Sequence, residues 1–174
     1  GWTAGDSPLP VEKRAIKQNM PGIYGVAAFS DEIRDGIKGH WNNLETKGFV
    51  SGEPEMEESV KFGIVAATQH PQIDYNSVNY SKAYWANAPT QTINYVSCHD
   101  NNTLWDKLLI STPESSESDR IRMDKLANTI VLTSQGIPFL HEGAEFLRSK
   151  LKVENSFNSP DSINWIDWSL TEKN

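Results

Sequence analysis

Thr92-Ile93-Asn94-Tyr95-Val96-Ser97-Cys98-His99-Asp100-Asn101-Asn102-Thr103-Leu104-Trp105-Asp106-Lys107-Leu108 is the stretch that decides the fold. Its first half leans apolar through Ile93, Tyr95, Val96 and Cys98, which predicts a buried strand with Cys98 as a small filler in it. The run then stops in His99, Asp100, Asn101 and Asn102. An imidazole, a carboxylate and two amides therefore gather where a strand gives way to a loop. Barrels built from parallel strands carry their catalytic groups at that rim. A plainer reading is that Asp100 and Asn101 only turn the chain and cap the next helix.

The surrounding sequence bounds the options. A chain of 174 residues with 37% hydrophobic and 22% charged residues suits a water-exposed globular unit. A net charge of −7 argues against nucleic acid or an anionic membrane as partner, since both attract basic surfaces. No apolar run approaches the roughly 18 residues of a membrane span. No leader peptide is visible at Gly1-Trp2. One cysteine excludes an internal disulfide, and compartment stays unknown. The four histidines, His40, His70, His99 and His141, have no metal-ligand spacing, so no metal site is expected.

Further elements flank the central stretch. Leu9–Met20 reads as loop with a short helical part. Gly22–Phe29 is small and apolar and predicts a second strand. Ser30 is a candidate N-cap, Asp31 and Glu32 suit the first turn of a helix, and Gly39 ends it. Gly48–Glu55 is turn-rich. Met56, Val60 and Ile64, with Phe62 and Val65, predict one face of a helix over 57–66. His70–Asn87 is long for a loop, so it is either functional or ordered by contacts elsewhere. Ser118 is placed to cap a helix whose stripe of Ile121, Leu126, Ile130 and Val131 runs to Ser134, with Gly136 at C′. Gly136–Leu140 predicts a third strand. His141, Glu142 and Glu145 after it read as helix N-terminal charges and rim hydrogen bonds. The order strand, strand, long helix, strand is α/β with parallel pairing favoured.

Several strings together carry a resemblance. Tyr95–Asp106 (YVSCHDNNTLWD) resembles region IV of the alpha-amylase family of glycoside hydrolases, in the form written by type I pullulanases. Phe29-Ser30-Asp31 is similar to the turn after the sixth strand of that family. Phe146–Lys150, Glu154–Asn158 and Ser162–Trp168 resemble its Leu-Arg-Thr-Lys, Asn-Ser-Tyr-Asn and Val-Asn-x-x-Asp-Trp patterns, with Phe157 standing where Tyr is usual. Gly1-Trp2 looks like the tail of the string that ends strand five.

The resemblance implies a partial (β/α)8 TIM barrel, strands six to eight with intervening helices. Residues 1–174 would then be the C-terminal half of one catalytic barrel domain, not a complete domain. It implies retaining hydrolysis of α-1,6-glucosidic branch links in pullulan, starch or glycogen. The nucleophile and general acid are expected upstream, so the isolated chain is expected to be inactive. Asp100 and His99 are the catalytic-site residues it assigns here. A carboxylate that accepts hydrogen bonds from ring hydroxyls is strengthened as positive charge grows on the sugar. Trp2, Asn101, Arg148 and Asn155 are assigned to substrate. No cofactor is implied for this segment, while calcium is allowed elsewhere in the parent protein. The expected partners are an α-glucan and the missing barrel half, or a second copy through exposed strand edges. Isoamylase-like or α-1,4 hydrolysis, and a non-catalytic glycan-binding module, are the competing readings.

Overall fold

Three short strands form a parallel sheet in the computed structural model, which describes residues 7–169. They are β1 (Ala28–Phe29), β2 (Thr92–Asn94) and β3 (Ile137–Pro138), in the order β1-β2-β3. Ala28 pairs with Thr92, and Ile93 with Ile137. Single backbone bonds carry the ladder one residue further. Ser30 N donates to Ile93 O at 3.0 Å and Phe139 N to Asn94 O at 2.8 Å.

These strands are shorter than the sequence predicts. Residues 95–98 leave the ladder because Val96 turns into a core with Leu104 and Leu108. Cys98 consequently sits, half-buried, in the turn beyond the strand and not within it. The 22–29 stretch begins in a 3-10 turn, Lys17–Gly22, and is extended and paired only at Ala28–Phe29.

Helix α1 (Asp31–Lys38) follows β1 as expected, with Ser30 Oγ accepting from Ile33 N at its start and Gly39 at its end. Asp31 and Glu32 occupy the first turn, where the helix dipole favours negative charge. Ile33 and Ile37 are fully buried. Helix α2 (Glu57–Ile64) is shorter than the predicted 57–66, and its buried face is Ser59, Val60, Phe62 and Gly63. Ile64, expected inside, is exposed. The reason is the crossing with α1. A Cβ on Gly63 would lie 2.3 Å from Ile33 Cβ, and one on Gly36 would lie 2.9 Å from Ser59 Cβ. Only a bare backbone permits that approach, and the approach decides which side of α2 faces inward.

Helix α3 (Leu104–Ser111) is capped by Thr103, whose Oγ1 accepts from Asp106 N at 3.1 Å. Its Lys107 Nζ donates to the carbonyls of Asn43 and Leu44 at 2.9 and 2.8 Å, which fastens the 40–46 loop. Helix α4 (Glu117–Thr133) is capped by Ser116, not Ser118, because Ser116 Oγ stands 3.1 Å from Asp119 N. Asp124, Ala127 and Val131 form its buried side, while Leu126 lies outward. The remaining helix is one turn, α5 (Asp161–Asn164). No helix among the described residues is long and apolar enough to cross a membrane.

The long 70–87 segment is ordered by a second core. Ile73, Val78, Trp85 and Ala86 are buried there with Met20 and Phe62, and Trp85 N and Ala86 N both donate to Ala67 O. Elsewhere the sheet stays open. Phe29, Tyr95 and Phe139 meet edge-to-face with centroids 5.0–6.5 Å apart, and Phe29 and Phe139 remain part exposed. Ile137, Phe139 and Leu140 are all exposed along β3 and its continuation. Gly63→Ala is expected to cost about 1–3 kcal/mol, because the added methyl has no space against Ile33. Urea unfolding reads this as a lower midpoint, with Ile64→Ala as the near-neutral control.

Candidate functional site

The turn after β2 carries the residues that the sequence singles out. His99 and Asp100 are solvent-facing, with His99 Nε2 3.4 Å from Asp100 Oδ1 and their side chains 88% and 51% exposed. Asn101 takes φ +60°, a left-handed conformation that asparagine tolerates better than most residues. Its Nδ2 is 3.5 Å from Glu154 Oε1. Asn102 points inward, and its Nδ2 donates to Lys152 O at 3.1 Å.

Two charged groups moor this turn. Asp106, fully buried in the first turn of α3, accepts from Ser149 Oγ at 2.6 Å and from Lys150 N at 2.7 Å. That fixes the 149–150 backbone against α3. Lys150, also buried, then reaches back and donates from Nζ to His99 O at 3.0 Å and Glu154 O at 3.2 Å. Burial, with Arg148 nearby, lowers the Lys150 pKa.

Arg148 spans the loops after β3. Its Nη1 lies 3.3 Å from His141 Nε2 and 3.2 Å from Glu142 O, and its Nη2 donates to Asn164 O at 2.8 Å. Asn164 Nδ2 donates in turn to Ser156 O at 2.7 Å. His141 is nearly buried, and its Nδ1 is 3.2 Å from Ser97 Oγ. Among the described residues the element next after His141 is a 3-10 turn at Ala144–Phe146 and not an α-helix, so the helix N-terminal part of the expectation fails there. The rim hydrogen bonds expected of it are present.

These loops enclose one open cleft of about 170 Å³. His99, Asp100, Arg148 and Asn155 all line it, with His141, Lys150, Glu154, Ser156, Phe157 and Asn164. Four of the six residues singled out from the sequence thus share one cavity. Asn101 lies at its margin through Glu154, and Trp2 falls outside the described residues. His141, Lys150 and Glu154 were not singled out for this cleft. Their strings were visible, but only the fold shows that Lys150 and His141 are buried behind the exposed pair. The cleft mixes carboxylates and cations with one exposed aromatic ring, Phe157. That is a surface suited to a polyhydroxylated ligand, whose hydroxyls need both donors and acceptors and whose carbon faces need a flat apolar partner. No group of three or more His, Cys, Asp or Glu converges to hold a metal among the described residues.

The strings seen in the sequence extend to whole-chain similarity. Bacillus subtilis pullulanase is 38% identical over 172 residues, 99% of this chain. The chain is homologous to a segment of the pullulanases. The crystal structure of the type I pullulanase of B. subtilis with maltose matches 94% of the chain at 39% identity and a TM-score of 0.84. That of the Paenibacillus barengoltzii pullulanase, in complex with maltohexaose and alpha-cyclodextrin, matches 93% at 46% identity and a TM-score of 0.81. The chain spans about a quarter or less of these relatives, 23% of the first sequence and 22% and 24% of the two structures. No protein-family model matches it. The homologues are glycosidases by name, and the parallel three-stranded arrangement agrees with their structures.

Two buried titrating groups near the cleft pull in opposite directions. Burial raises Asp124 from the usual carboxylate range to about 7, so the folded chain holds its proton between about pH 4 and 7 while the unfolded chain releases it. Stability from this group falls as pH rises through that window. Burial, with Arg148 and Lys150, lowers His141 from 6.5 to about 4. The unfolded chain binds that proton first, so stability from His141 falls as pH drops from about 6.5 to 4. Each slope is at most about 1.4 kcal/mol per pH unit. The wild-type stability curve is therefore expected to be nearly flat across the overlap. Asp124→Asn should unmask a loss toward acid and His141→Asn a loss toward neutral pH, read as urea midpoints at pH 4.5, 5.5 and 6.5.

Proposed function

We propose that this chain forms the glucan-gripping rim of a pullulanase-type glycosidase that cleaves α-1,6-glucosidic links with retention. The observation that carries the reading is the exposed His99–Asp100 pair at the end of β2, facing the same cleft as Arg148 and Asn155. Asp100 accepts from ring hydroxyls and stabilises the positive charge that develops on the glucose ring as the bond breaks. His99 donates to a neighbouring hydroxyl. Asn155 and Phe157 contact adjoining sugar, Phe157 by stacking, and Trp2 is a further sugar contact by the resemblance of its string alone. The maltose, maltohexaose and alpha-cyclodextrin held by the two pullulanase structures support an α-glucan as ligand. Arg148 holds the cleft walls together as well as lining it.

In this reading β1, β2 and β3 are strands six to eight of a (β/α)8 barrel. The nucleophile and general acid belong to polypeptide outside these 174 residues. Retaining cleavage needs two carboxyl groups about 5–5.5 Å apart across the scissile bond. A second reading is favoured by one observation, that Glu154 shares the cleft with Asp100. If those two formed the working pair, the chain alone would be active. Isoamylase-like or α-1,4 hydrolysis, and a non-catalytic glycan-binding module, differ in linkage or in the upstream acids and share this rim.

Two measurements test the proposal. Maltotriose titrated into the isotope-labelled chain is expected to move the His99, Asp100 and Asn101 amide signals saturably, and Asp100→Asn to abolish the effect. Pullulan incubated with the chain is expected to release no reducing ends. Turnover that Glu154→Gln removes would sink the two-part reading and establish the Asp100–Glu154 pair. The bare edges of β1 and β3 lead to a separate expectation. Sedimentation should show mass rising with concentration unless the rest of the barrel is supplied in trans.

A further inference from the structure

His141 stands between two groups that fix its chemistry. A guanidinium has five N–H donors and no acceptor. Arg148 Nη1, 3.3 Å away, must therefore donate to His141 Nε2, and that nitrogen must carry a lone pair. The ring proton then resides on Nδ1, from which it is donated to Ser97 Oγ at 3.2 Å. Ser97 is buried and lies two residues before His99. Arg148 is itself fixed by the carbonyls of Glu142 and Asn164.

We propose that His141, as the neutral Nδ1–H tautomer, is a positioning residue that transmits the fixed placement of Arg148 to Ser97 and so holds the His99–Asp100 turn against the cleft. The inference rests on the proposed function for the importance of that turn, but its geometry stands independently. Protonating Nε2 would set two donors against each other and break the link at Arg148. The charged groups around the ring oppose that proton. They are Arg148 and Lys150 from the loops after β3, Lys38 from α1 and His99 from the turn itself. On the α4 side Asp124 is the only carboxyl that shares a water-sized void of about 10 Å³ with His141, Ser97 and Arg148. Its burial favours the neutral acid, so it does not supply a counter-charge in acid. Arg148 Nε, buried and without a partner among the described residues, belongs to the same neighbourhood. A second route to the turn, Lys150 Nζ to His99 O, restrains the backbone but not Ser97.

Histidine-labelled chain read by long-range nitrogen–proton correlation tests the assignment. His141 is expected to show the Nδ1–H pattern and to stay neutral well below the usual value of about 6.5. An Nε2–H pattern in the folded chain, or titration near that usual value, overturns the proposal. Variants separate the two bonds. His141→Asn can keep a donor at the Nδ1 position but loses the acceptor for Arg148, and His141→Gln can keep an acceptor for Arg148 at the Nε2 position but loses the donor to Ser97. The amide signals of residues 99–101 are expected to shift in H141N, H141Q and Ser97→Ala alike, because each variant breaks one of the two bonds through which Arg148 positions Ser97. Unmoved signals in both H141Q and S97A overturn the positioning role even if the tautomer is correct. The maltotriose titration of unmutated chain is a separate readout. Its failure removes the glucan reading and leaves the tautomer and turn results standing.

Discussion

The amide of Asn94 holds the architecture together. It lies on the only described strand with a neighbour on each side, and it is almost fully buried. Its Nδ2 donates to Gly63 O at 3.0 Å and to Gln135 O at 2.6 Å, so one side chain ties the end of α2 to the exit of α4. Thr92, two residues earlier on the same side of the strand, donates to Ala66 O at 2.7 Å. A polar pair inside a sheet is costly unless its hydrogen bonds are met. Here the donors dock the helix ends, whose last carbonyls lack intrahelical partners; Gly63 O also accepts from Ala66 N at 2.8 Å, and Asn94 Oδ1 has no partner among the described residues. An apolar residue at position 94 would pack, but it would leave the Gln135 carbonyl to find another donor and Gly63 O to its backbone bond from Ala66 N.

From that anchor the site follows by short steps. β2 fixes where residue 95 begins, and Val96 enters the core with α3, which leaves Ser97 and the His99–Asp100 turn at the strand-end rim. Asp106 and Lys150 then lock the facing loop from behind. The two exposed groups need no deep pocket to be held in place. Buried charge beneath them does the holding, and it is compensated by backbone carbonyls and amides as buried charge must be.

Sequence reading succeeded where the signal was local and failed where distant contacts decided the outcome. Ser30 and Gly39 bracket α1 as their residue types imply, and the 92–98 run does begin as a strand. Val60 and Phe62 face inward on α2 as their spacing implies, but Ile64 does not, because the close crossing at Gly63 and Ile33 turns that end of the helix outward. Ser116 and Ser118 are equivalent as caps until the backbone shows which hydroxyl faces Asp119 N. The strings that carry His99, Asp100, Arg148 and Asn155 lie far apart in the sequence, and the fold brings the four to one cleft. The coupling of His141 to Ser97 was not, because 44 residues separate the two and nothing local marks them as partners.

The uncovered strip from Ile137 to Leu140 bears on how the polypeptide reaches this state. Joining β3 to β2 is a unimolecular event whose rate does not depend on how much protein is present. Capture of the same strip by another unfolded molecule is bimolecular and grows with dilution reversed. Recovery from denaturant is therefore a race between the two, and its yield is governed by chain density in the tube as much as by the free energy of the finished sheet.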